Sequence, residues 1–127
     1  MPESIDARLQ SLGLTLPAVT PTRGSFKAYV ISGNMLYLSG KGAPAREPAD
    51  HVPKVGAEVT AAQAQAYAKE VGLNQLAVIK EALGSLDRVK RVVKVFGDKG
   101  GHARSAVGVG SLPRGFAVEI EAVIEFE

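Results

Sequence analysis

The chain has 127 residues, enough for one domain and too few for two. With 46% apolar residues, 6% aromatics and no Trp, the core has to be aliphatic, built from Val, Leu, Ile and Ala. Fifteen basic against 13 acidic side chains leave a net charge of only +2, which argues against a nucleic-acid partner, and the lack of Cys excludes disulfides, thiolate catalysis and cysteine metal sites.

From the N-terminus, Ser4 caps a helix predicted over residues 5–12, with Ile5, Leu9 and Leu12 on one stripe and Gly13 at its exit. Pro17 and Pro21 mark an extended linker, so residues 1–22 read as a short N-terminal helical extension of a single domain spanning 1–127. Residues 26–31 read as a strand, Ser32-Gly33-Asn34 as a turn and residues 35–40 as the returning strand. A Pro- and Gly-rich loop follows, with Ala57-Glu58-Val59 as a short strand edge. Thr60 and Gln63 form a capping box, and a helix is predicted over 61–83. Its apolar stripe runs through Ala64, Tyr67 or Ala68, Val71, Gln75 or Leu76, Ile79 and Leu83 to a stop at Gly84. Gly72 costs the helix about 1 kcal/mol against Ala, which points to close packing there.

Residues 89–95 are the next predicted strand, 97–101 a loop, 104–109 a strand and 113–115 a turn. The last strand, 116–126, alternates with period two. Val118, Ile120, Ala122, Ile124 and Phe126 take one face, and Glu119, Glu121, Val123 and Glu125 the other, so one face packs on helix and the other is polar. The long helix gives the first crossover the length a parallel return needs. The eight residues between Val95 and Arg104 do not, so a parallel return is not expected there. No apolar run approaches the roughly 18 residues of a membrane span. The acidic start, Met1 to Asp6, lacks the basic region of a signal peptide. A soluble, cytoplasmic protein is expected.

The C-terminal third carries the chemistry. Ala103-Arg104-Ser105-Ala106-Val107 puts an arginine at a strand start, Leu112-Pro113-Arg114-Gly115 turns the chain, and Val118-Glu119-Ile120-Glu121-Ala122 returns it with alternating carboxylates. A guanidinium and a glutamate that converge can grip a carboxylate and steer a water at it. Pattern alone does not separate Glu119 from Glu121 and Glu125. Lys99 lies in a Gly-rich stretch without P-loop spacing, and His51 and His102 have no partners at metal-ligand spacing, so no metal is expected.

These three segments together resemble the RidA/YjgF family (reactive intermediate/imine deaminases, L-PSP endoribonuclease-like) over most of residues 26–127. The resemblance implies an α+β fold, YjgF-like and chorismate-mutase-like, with a mixed β-sheet and helices packed on one face. It implies a homotrimer with pockets at subunit interfaces, no cofactor, and hydrolysis of reactive 2-imino acids such as 2-aminoacrylate to 2-keto acids and ammonia. In that frame Arg104 holds the substrate carboxylate and Glu119 positions the water. Phe26, where many members have Tyr, Ser39, Gly40, Ser105 and Ala106, where many have Cys, line the substrate. The alternative from the same pocket is a non-catalytic carboxylate-binding trimer, and a third class is RNA cleavage. The family's second helix, with its pocket asparagine, is missing from this sequence. The text reads as if about 20–30 residues had been left out near Val95-Phe96, the scale of half a βαβ unit or more.

Overall fold

A computed structural model describes residues 2–19, 21–22, 24–43, 54–95, 103–104, 112 and 116–127. Helix α1 is Ile5–Ser11, strands β1 and β2 are Tyr29–Ser32 and Met35–Ala43, and helix α2 is Ala61–Leu83. A 3-10 turn at Leu86–Arg88 leads into β3, Val89–Val95; β4 is Ala103–Arg104 and β5 is Val118–Phe126. The five strands form one sheet in the order β1-β2-β5-β3-β4. Neighbours from β1 to β3 pair antiparallel, and β4 pairs parallel with β3, so the sheet is mixed and the fold is α+β. Both β2 and β3 run antiparallel to β5. They are therefore parallel to each other, and α2 is the crossover that carries the chain past β5.

Local chemistry sets α2. The Thr60 hydroxyl accepts from the Gln63 N–H while the Gln63 side chain accepts from the Thr60 N–H, and Gly84 closes the helix at φ +82°. Its inner face meets the alternating apolar residues of the sheet. Val78, Ile79 and Leu83 pack on Leu36 and Leu38 of β2, on Ala122, Ile124 and Phe126 of β5, and on Leu86. The core is aliphatic apart from Phe126. Helix α1 rests on its margin through Ile5 and Leu9, held by a 2.8 Å bond from the Ile5 N–H to Asp87 Oδ1 and a 3.0 Å ion pair between Lys80 and Asp6.

The structure departs from the sequence expectations at several places. Leu12 does not join the α1 stripe; it is 57% exposed, because the helix ends at Ser11 and the chain turns away. Gly72 has no close neighbour from another element among the described residues: none of their atoms lies within 4 Å of where a Cβ would sit. The first strand starts at Tyr29 and not at Phe26, and β2 runs on past Gly40 because β5 is long enough to pair with it through Ala43. The strand edge near 57–59 reduces to a single bridge between Val55 and Val59. The parallel return does occur. Among the described residues Lys94 pairs with Ala103 and Val95 with Arg104, at the far end of β3. The Val95-Phe96 join itself, the loop at 97–101, the strand beyond Arg104 and the turn at 113–115 lie outside the described residues.

Two surfaces follow from this arrangement. Val92 pairs with the core residue Ile124 yet is 37% exposed, since α2 covers β2 and β5 and no described helix covers β3 on that side. On the opposite face Val30, Tyr37 and Val123 are cross-strand partners in one row across β1, β2 and β5, with Val30 and Tyr37 exposed. The face expected to be polar thus carries an apolar row between its carboxylates.

Candidate functional site

The site is built on an irregularity of β2. Leu38 pairs with Ala122 and Lys41 with Ile120, so two residues, Ser39 and Gly40, stand opposite the single residue Glu121. That is a β-bulge, and it turns Gly40 toward the face that carries Glu119. The Glu119 side chain lies directly on Gly40: a Cβ there would come within 3.0 Å of the carboxyl carbon and overlap a carboxylate oxygen. Two residues on, Gly42 pairs with Glu119 and lies under the Phe116 ring, which a Cβ at 42 would also overlap. The two glycines form a flat floor that only residues without side chains supply.

Environment separates the three carboxylates that the pattern could not. Glu125 is engaged by Arg91 at 3.2 Å and Lys90 at 3.5 Å. Glu121 is exposed. Glu119 has its pKa raised above the ordinary glutamate value, first by partial burial against the β2 floor and second by the negative charge of Glu121. A carboxyl of raised proton affinity, half-buried against a backbone floor, is the kind of group that moves protons in a reaction.

Ser39 anchors the bulge to the segment that enters β1. Its N–H donates to the Ala28 carbonyl at 2.9 Å and its hydroxyl donates to the Lys27 carbonyl. Thr22 donates to the Phe26 carbonyl at 3.0 Å, and Phe26 itself is 57% exposed beside a shallow groove lined with Thr22, Lys27 and Ile31. On the helix side, Gln75 is buried and its amide nitrogen donates to the carbonyls of Ser39 at 2.9 Å and Ile120 at 2.8 Å. Sequence reading gave Gln75 no role beyond the stripe and missed Phe116. The signal for Gln75 was a polar residue in an apolar helical row.

Arg104 enters the sheet in β4 opposite Val95, which in turn pairs with Ala122. It therefore stands two strands from β5 and, in register, three residues from Glu119. At ~4.8 Å per strand and ~3.3 Å per residue, the two Cα atoms are about 14 Å apart within one chain. Ser105 and Ala106 lie outside the described residues. No three His, Asp or Glu side chains cluster as metal ligands among the described residues, and no described helix is long and apolar enough to cross a membrane.

Known proteins share this design. Residues 17–126 match the family described as Endoribonuclease L-PSP. Protein TCP17 of Trypanosoma cruzi is 36% identical over 149 residues, covering 95% of this chain and 93% of TCP17. That alignment is longer than the chain itself, so part of TCP17 has no counterpart here. An Agrobacterium tumefaciens protein of unknown function superposes with a TM-score of 0.79 at 33% identity, covering 97% of this chain and 92% of its own. RidA from an Antarctic Psychrobacter species superposes at 0.58 with 26% identity, covering 86% and 94%. A Shewanella oneidensis structure, 22% identical, reaches 0.85 over 98% and 100% of the two chains, a likeness of fold.

Proposed function

The chain belongs to the Endoribonuclease L-PSP (RidA/YjgF) family, and from that premise we propose that it is a cytoplasmic imine deaminase, hydrolysing reactive 2-imino acids to 2-keto acids and ammonia. The observation that carries the reading is Glu119: a carboxylate seated on Gly40, on the open face of the sheet, with its proton affinity raised. In the reaction Glu119 takes a proton from water as the oxygen attacks the C=N carbon. It returns that proton to nitrogen, giving the carbinolamine; it then carries the hydroxyl proton to the amine as the C–N bond breaks and C=O forms, releasing ammonia and the keto acid. No cofactor enters, because an imine carbon is already electrophilic. The seating of Glu119 on the Gly40 floor is the observation that favours catalysis over the non-catalytic alternative.

Arg104 holds the substrate carboxylate through its planar fork. Glu119 and Arg104 stand about 14 Å apart at Cα in one chain, a span that suits a pocket shared between subunits. We place that pocket at the interface of a homotrimer, whose contact surface includes the apolar row of Val30, Tyr37 and Val123. Phe26, Ser39, Gly40, Ser105 and Ala106 form its walls.

The test is ammonia release from enzymatically generated 2-imino acids, with RNA cleavage measured in parallel. Arg104→Ala and Arg104→Lys lose a bidentate charged contact worth about 1.5–3 kcal/mol and should lose detectable turnover. Normal imine hydrolysis by both variants, or RNA cleavage without imine hydrolysis by the parent chain, would end this reading.

A further inference from the structure

A β-bulge leaves backbone groups that the ladder no longer pairs. At the bulge, the carbonyls of Ser39 in β2 and of Ile120 across from it in β5 are both met from the α2 side. Gln75 meets both with one amide group, and its orientation is fixed because only the nitrogen carries protons to give. Its own oxygen is buried with no partner among the described residues, so the side chain is committed to these two donations at a cost. An apolar residue in this row would pack on the sheet as Val71, Val78 and Ile79 do, but would make neither of these two hydrogen bonds.

We propose that Gln75 is a positioning residue: by clamping the Ser39 and Ile120 carbonyls from the helix side, its amide holds the bulge that sets Gly40 beneath the Glu119 carboxylate on the opposite face. The same bulge residue, Ser39, is tied on its other side to Lys27 and Ala28. Gln75 therefore links the helix, the strand irregularity and the approach to β1 without touching the open face. Its consequence for turnover rests on the catalytic reading of Glu119; its structural claim does not.

The experiment is the titration of the Glu119 side-chain carboxyl carbon by NMR in the full chain and in Gln75→Leu. Glu121, the charged neighbour of Glu119 on β5, is kept in both proteins. Without the clamp the bulge relaxes, Glu119 leaves its floor and regains water. The expected result is a downward shift of its midpoint toward the ordinary glutamate value, with the resonances of Ile124 and Phe126 at the far end of β5 left in place. A folded Gln75→Leu protein with an unmoved Glu119 midpoint overturns the proposal. If that variant fails to fold, the unaltered chain decides. The Gln75 amide nitrogen must show through-hydrogen-bond couplings to both carbonyls, and the Ser39 and Gly40 resonances must titrate with the midpoint of Glu119. Absence of either overturns the proposal. These readouts bear on the carboxylate and not on turnover. A fully active Glu119→Gln protein would end the proposed reaction and leave this inference standing, whereas an unmoved titration would do the reverse.

Discussion

At position 40 the protein has no room for a methyl group, because the Glu119 carboxylate already occupies the place where it would go. The colliding atoms are the end of a side chain and not backbone, so the molecule can accept Gly40→Ala by swinging that carboxylate aside. Gly40→Ala is therefore expected to stay folded, destabilised by about 1 kcal/mol, the low end of overpacking costs. Its imine hydrolysis should nevertheless fall as far as in a variant lacking the carboxylate. A thermal melt and an ammonia assay on the same preparation check both halves. Glu119 also makes stability depend on pH. Its folded-state pKa is raised above the unfolded value, so the folded chain holds that proton more tightly, and stability falls as pH rises from the unfolded value through the folded one. Glu119→Gln removes this penalty. It should melt higher than the parent above that window and level with it in acid; a variant that melts lower at neutral pH would show that the carboxylate is not strained by its burial.

Among the elements, those legible in the sequence are the ones that local chemistry specifies. Thr60 and Gln63 write the start of α2 and Gly84 its end, and the strict alternation from Val118 to Phe126 writes β5. The Gly33 turn between β1 and β2 is equally local. What the sequence did not reveal depends on partners. The continuation of β2 to Ala43 exists because β5 extends to meet it, and the bulge at Ser39-Gly40 is a mismatch between two strands that neither one encodes alone. The glutamate at 119 was selected by resemblance; its Gly40 floor, the exposure of Glu121 and the ion pairs of Glu125 are what distinguish it physically. Gly72 was misread because a helical glycine suggests a close neighbour, whereas this one faces open space. Gly72→Ala should accordingly stabilise the chain by about 0.5–1 kcal/mol, the ordinary helix-propensity gain. A denaturant melt showing a loss instead would mean that another subunit packs on that face of α2.

As a whole molecule the protein presents two surfaces that its described residues leave incomplete: an apolar row on the Glu119 face, and a flank of β3 where Val92 is exposed. The first fits a homotrimer. Light scattering should give three times the chain mass of 13.3 kDa, and Tyr37→Glu, which buries a charge in the middle of the row, should drive the assembly toward single chains. A single-chain mass for the parent protein would contradict the shared pocket. The central claim is that Glu119 moves the proton of the attacking water. It is tested most directly by the rate of ammonia release from enzymatically generated 2-aminoacrylate, measured for the parent chain and for Glu119→Gln under saturating substrate. Loss of a positioned general base predicts a fall in kcat of about 10²–10⁴-fold with the fold intact; equal kcat in the two proteins would contradict the account.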